Sequence, residues 1–134
     1  MQAGMGGGLA GHELAAAVST AGGLGTIGVL APAQLSREIA AARALTAAPL
    51  AVNLLLPFAR RANVRAAAEA DAVVTFWGRP VRRTPRLWLH QCGSVQEALL
   101  AQAAGADGVM GDCVRGIEEI RPAGDLVHDL SARA

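Results

Sequence analysis

The apolar run Leu50 to Leu56, interrupted only by Asn53, is the feature that most constrains the fold. Continuous runs of this length are typical of parallel strands covered on both faces. Shorter apolar stretches recur at Leu24 to Leu30, Ala72 to Trp77, Leu87 to Gln91 and Ala106 to Met110. Residues 1–5 read as the tail of a further strand. Between these stretches the spacing turns helical. Leu14, Ala17, Val18 and Ala21 mark one helix over 12–21, stopped by Gly22 and Gly23. Pro32 opens a second, whose stripe is Leu35, Ile39, Ala42 and Leu45 and which Pro49 ends. Residues 63–70 read as a short third. Ser94 and Glu97 form a capping box for a fourth, which stops at Gly105. Strands alternating with helices predict a parallel α/β arrangement. Only Gly78 to Arg86 separates two strands, too short a stretch for a normal crossover helix.

Composition narrows the function. The 134 residues suit one domain, and a net charge of +1 gives no electrostatic case for nucleic acid. All 12 basic residues are Arg. Two cysteines, Cys92 and Cys113, do not make a disulfide framework, and no cluster suggests a metal. No basic n-region precedes an apolar run, and no apolar stretch is long enough to span a bilayer, so the expectation is a cytoplasmic protein without a membrane partner.

Two glycine-rich stretches frame the first helix: Gln2 to Gly11, and Ala21-Gly22-Gly23-Leu24-Gly25-Thr26-Ile27-Gly28. A glycine turn between strand and helix aims backbone N–H groups at whatever lies above the sheet, and lets backbone approach a flat anionic ligand. Taken alone, the first stretch reads equally as a mobile terminus.

Together with Val52-Asn53-Leu54, Val74-Thr75-Phe76-Trp77-Gly78-Arg79-Pro80, His90-Gln91-Cys92-Gly93-Ser94 and Ala104-Gly105-Ala106-Asp107-Gly108-Val109, in this order, these stretches resemble the nitronate monooxygenase (2-nitropropane dioxygenase) family. The resemblance implies an FMN-dependent TIM barrel of parallel strands with helices outside. A complete barrel needs ~250 residues, so a partial barrel is expected: roughly the first six strands plus the final helix, as one FMN-binding domain over 1–134. The first strand would be clipped. Past Met110 the family's Gln-Gly-x-Glu-Ala-Gly-Gly-His segment is missing. Gly111-Asp112-Cys113-Val114 and Ile117 to Val127 instead resemble the family's C-terminus, with Arg121-Pro122 opening its last helix. An internal deletion at Met110/Gly111 is the expected account.

The same resemblance implies flavin-dependent oxidation of an alkyl nitronate by O₂. The alternatives are a flavin-dependent enoyl-acyl carrier protein reductase and a non-catalytic barrel remnant. By carry-over, Ala3, Gly4, Met5, Gly6, Asn53, His90 and Gln91 would contact FMN, and Trp77 would wall the substrate pocket. The family's catalytic His lies in the missing segment, so His90 is the one candidate for proton transfer; otherwise it is a packed structural histidine. His12 and His128 are expected to be solvated, Cys92 unreactive, and Arg82, Arg83 and Arg86 a solvated loop rather than a phosphate site. Open sheet edges, with Ile27, Val52 and Val74 facing inward, predict a homo-oligomer.

Overall fold

The computed structural model describes residues 1–111. In chain order these form α1 (His12–Thr20), β1 (Gly25–Ile27), α2 (Pro32–Leu45), β2 (Leu50–Leu55), α3 (Arg61–Ala67), β3 (Ala72–Phe76), β4 (Leu87–Gln91), α4 (Val95–Ala103) and β5 (Gly108–Met110). The expected closing helix, Cys113 and His128 lie outside the described residues. The five strands form one sheet in the order β1-β2-β3-β4-β5, every pair parallel. Sequential parallel strands with helices between them are a segment of a (β/α)8 barrel.

The two faces of the sheet carry different side chains. Ile27, Leu50, Val52, Leu54 and Val73 pack with Leu35, Ile39 and Ala42 of α2 and Ala66 and Ala67 of α3. This is the helical face, and it holds most of the core. Ala51, Ala72 and Val74 gather with Leu24, Leu89 and Met110 on the opposite, inner face. Ile27 and Val52, expected to point inward, therefore face the helices; of the three residues only Val74 points inward. The strands of β1 and β2 pair Ile27 with Val52, and alternation along a strand puts such partners on one face.

Residues 1–5 are not a strand. They run beside β1, attached through Gln2, whose N–H donates to Leu24 O at 3.0 Å. Helix α1 ends one turn-residue earlier than its periodicity suggests. Gly22, at φ +87°, turns the chain, and the amides of Gly22 and Gly23 close onto Ser19 O and Val18 O. Helix α3 starts two residues earlier than expected because the Asn63 side chain accepts from the Arg60 amide. At α4 half of the capping box forms: Glu97 N–H donates to Ser94 Oγ at 3.2 Å. The Glu97 carboxylate reaches past Ser94 and accepts from Gly93 N–H at 2.6 Å.

No helix joins β3 to β4. An irregular strap, residues 77–86, covers the helical face there and buries Pro80 and Thr84. Three of its four arginines are engaged: Arg82 holds Asp107 and Gly105 O, Arg83 holds Ala59 O, and Arg86 holds Ala68 O. Nor is His12 merely solvated. Its N–H and Nδ1 both meet Glu38 Oε2, at 2.9 and 2.8 Å, fixing the start of α1 to α2. That contact holds the Glu38 carboxyl below its ordinary range.

Candidate functional site

The inner face is built in rows set by strand register. Asn53 pairs with Val74, and Val74 with Leu89; one row higher, Leu55 pairs with Phe76, and Phe76 with Gln91. Asn53, Phe76 and Gln91 therefore share the inner face toward the C-terminal ends of the strands, where barrel enzymes build their sites. The glycine-rich loop lies over Asn53. Asn53 Nδ2 donates to Gly4 O at 2.8 Å. A Cβ on Gly4 would fall 2.4 Å from Asn53 Cβ, so only glycine permits this approach. At the far end of the loop Gly28 N–H donates to Ala10 O at 2.8 Å. A Cβ on Gly28 would lie 1.9 Å from Met5 O.

Between these anchors Gly6, Gly7 and Gly8 stand clear of other atoms, Gly7 and Gly8 at φ +70° and +80°. Among the described residues two buried side-chain atoms have no partner, Asn53 Oδ1 and Thr26 Oγ1. Thr26 pairs with Ala51 and so also faces inward. A buried unpartnered oxygen is costly unless a ligand or water meets it. The inner face thus presents one acceptor and one hydroxyl beneath a backbone loop, an arrangement suited to a ligand bearing N–H or O–H donors.

His90 is not part of this group. It alternates with Leu89 and points to the helical face, 2% exposed. Its Nδ1 meets Thr75 Oγ1 at 2.7 Å, and Trp88 Nε1–H donates to the same oxygen at 2.7 Å. Thr75 and Trp88 line a small apolar cavity with Val64 and Ala67 of α3. Thr75 Oγ1 also lies 3.5 Å from Leu89 O, so the hydroxyl bridges Trp88 to His90 Nδ1 or to the Leu89 carbonyl according to the tautomer of His90. Burial lowers the His90 pKa and the Glu97 charge partly opposes this, so the ring is held neutral. Asn53 and His90 lie toward the same end of the sheet but on opposite faces.

Trp77 follows β3 at φ +60°, 53% exposed, its ring 5.2 Å from that of Phe76. Exposed Met5 and Leu9 on the glycine loop and Phe58 after β2 add apolar surface at the strands' C-terminal side. Cys92 is buried and its thiol pKa is raised by burial, so it carries no thiolate chemistry. Among the described residues no group of His, Cys, Asp and Glu could hold a metal, and no helix is long and apolar enough to cross a membrane.

Sequence reasoning missed Gln2, Thr26 and the aspartates Asp71 and Asp107. Gln2 and Thr26 stood inside the motifs but look unremarkable as residue types. The aspartates had a visible signal, an Ala-Asp pair before a strand at both 70–71 and 106–107.

A family model described as nitronate monooxygenase matches residues 1–84. Among solved structures the chain is similar to FabK from Thermotoga maritima at 32% identity and a TM-score of 0.74, covering 82% of this chain and 39% of that one. It is also similar to nitroalkane oxidase from Streptomyces ansochromogenes at 25% identity and a TM-score of 0.75, covering 92% of this chain and 50% of that one. The chain thus spans half or less of the length of these two proteins.

Proposed function

The chain belongs to the nitronate monooxygenase family, and from that premise we propose that it forms the flavin-contacting part of an FMN-dependent oxidoreductase acting on alkyl nitronates with O₂. The observation that carries the reading is the unpartnered, buried Oδ1 of Asn53 beneath the glycine loop. An orphaned acceptor beneath a backbone loop fits a planar ligand with ring N–H groups. The residues present therefore fit the ring of FMN. When bound, that cofactor supplies the two-electron chemistry between substrate and oxygen.

In this reading Asn53 accepts a hydrogen bond from the ligand, and Ala3, Gly4, Met5 and Gly6 bring backbone against it. Gln91 adds a second amide on the same face. Trp77 and Phe76 wall the substrate side and exclude water. His90 holds β4 through Thr75 and keeps its ring neutral, a structural role rather than one in proton transfer. With Arg82, Arg83 and Arg86 committed to carbonyls and Asp107, they do not serve a phosphate. Binding to this chain alone is expected to be micromolar or weaker. A homo-oligomer and a cytoplasmic location complete the reading.

The similarity to FabK favours a second reading, a flavin-dependent enoyl-thioester reductase on the same inner face. Titration of the purified chain with FMN, followed by flavin fluorescence, tests the common part. Saturable binding that Asn53→Leu abolishes is the expected result. No binding at any FMN concentration supports the remnant, and submicromolar binding contradicts the expected weakness. Nitronate-dependent oxygen uptake against NAD(P)H oxidation then separates the two activities.

A further inference from the structure

We propose that Gln2 is a positioning residue: its side-chain amide clamps the glycine loop to the free edge of β1 and so decides which end of the Asn53 amide the site presents. The clamp uses both ends of the side-chain amide. Thr26 N–H donates to Gln2 Oε1 at 3.1 Å, and Gln2 Nε2 donates to Thr26 O at 3.0 Å. One side-chain amide thereby satisfies both backbone groups of an edge residue, replacing a neighbouring strand. The same Nε2 donates to Ala3 O at 2.7 Å, which ties the amide to its own loop. The Gln2 N–H on Leu24 O adds a third point of attachment to the segment around β1.

Two residues later the effect reaches the site. Gly4 O accepts from Asn53 Nδ2. The two ends of a primary amide have nearly the same shape, and a half-turn exchanges donor and acceptor. A carbonyl can only accept, so Gly4 O selects Nδ2 and leaves Oδ1 as the buried orphan. The near-contact of Gly4 with Asn53 Cβ leaves the loop no slack to choose otherwise. Gln2 thus makes the inner face an acceptor that selects a ligand with an N–H or O–H donor. Without the clamp, Gly4 O is released and Asn53 can turn its donors into the site.

The ligand half of this inference rests on the flavin reading; the clamp does not, and the experiment separates them. Gln2→Ala and Gln2→Glu are compared with the unsubstituted chain at about pH 8 and about pH 5, spanning the titration of a glutamate whose ionised form faces carbonyls. A protonated carboxyl reproduces the amide's acceptor and donor, whereas an ionised one loses the donor. The first readout is hydrogen exchange of the Thr26 amide and the Asn53 side-chain amide. Protection of both is expected to fall in Gln2→Ala at either pH; in Gln2→Glu that of Asn53 falls only at the higher pH, where the carboxylate repels the Thr26 and Ala3 carbonyls while still accepting from the Thr26 amide.

The second readout is FMN affinity relative to the unsubstituted chain at the same pH. It should weaken by about tenfold whenever protection is lost, the scale of one hydrogen bond. Recovery of Gln2→Glu at the lower pH keeps the test valid where Gln2→Ala is poorly folded. Unchanged Asn53 protection in both variants overturns the inference. So does lost protection with unchanged FMN affinity. If the unsubstituted chain takes up no FMN, the flavin reading fails and the exchange data alone decide the clamp.

Discussion

Asn53 and His90 are both polar residues inside buried strands, and the structure treats them oppositely. Asn53 leaves an acceptor unpaired, whereas the His90 ring is engaged by Thr75. Replacing Asn53 by Ala removes one hydrogen bond and also one unsatisfied oxygen, so stability should change by no more than about 1 kcal/mol. Ligand binding should suffer far more, and urea unfolding beside FMN titration checks the split. Thr75→Val is expected to behave the other way. It strips the partner from both Trp88 Nε1 and His90 Nδ1 at constant shape, costing about 2–4 kcal/mol. Acid should act through His90 as well. Burial depresses its folded pKa below the ordinary imidazole value of about 6.5. Its contribution is therefore full above that value and is lost as pH falls through the lower folded value. A urea series between pH 7 and pH 5 on the chain and on His90→Asn should show a shallower slope in the variant.

Asn53 was legible in the sequence because one polar residue in an apolar run must find a purpose. The face of His90 was not. Strand parity follows from register, and a one-residue difference moves a side chain from the site to the core. The left-handed Trp77 was equally hidden. Tryptophan has no preference for positive φ, and Gly78, also at positive φ, gave the only hint of a tight turn.

At the scale of elements, the parallel order and the missing crossover helix were readable from run lengths, since the nine residues Gly78 to Arg86 cannot hold a helix and two turns. What fills the gap was not readable. The strap is held by Arg82 and Arg86 at the end of the sheet where β3 and β5 begin, beside a repeated device. Asp71, just before β3, accepts from the Leu50 amide at 2.8 Å and pairs with Arg43. Asp107, just before β5, accepts from the Trp88 amide at 2.7 Å and pairs with Arg82. Each aspartate therefore ties the start of its own strand to the start of the preceding one.

Burial pushes the Asp71 carboxyl up, but the bonds from Arg43 and the Leu50 amide prevail and hold it below its ordinary carboxylate value. Asp107 is held below the same value chiefly by Arg82. Depressed carboxylates stabilise the fold fully above their unfolded pKa, and that stability is lost as pH falls through the folded values. Asp71→Asn combined with Asp107→Asn should therefore be less stable at neutral pH and lose less on going to pH 3. Circular dichroism against urea at the two pH values measures both effects. A double variant as acid-sensitive as the unsubstituted chain would mean the clamps carry no net charge effect.

For the whole molecule, the two ends of the sheet differ. The β1 edge is occupied by Gln2, which satisfies Thr26. The β5 edge has no strand neighbour among the described residues. On this side the exposed apolar side chains include Val95 at 79% and Leu99 at 60% on α4, with Leu100 and, on β5, Val109. Helix α4 reaches the sheet through small residues, with Ala101 its only buried one, and so leaves its larger side chains outside. Apolar surface beside unpaired strand edges drives association, and a second copy carries the same edge and the same patch. A two-fold pairing of this kind is self-complementary. The 134-residue chain is therefore expected to form a dimer or larger species through the β5 side, with the Gln2 side left free. Light scattering across a dilution series, with circular dichroism on the same sample, gives the species and shows that it is folded. Leu99→Glu with Val109→Glu should shift it toward monomer, because like charges buried at such a contact have no partner and repel. A substitution at exposed Leu45, on α2 and remote from β5, should leave it unchanged. A folded chain that is monomeric throughout the dilution series would show that this apolar surface is not a contact between copies.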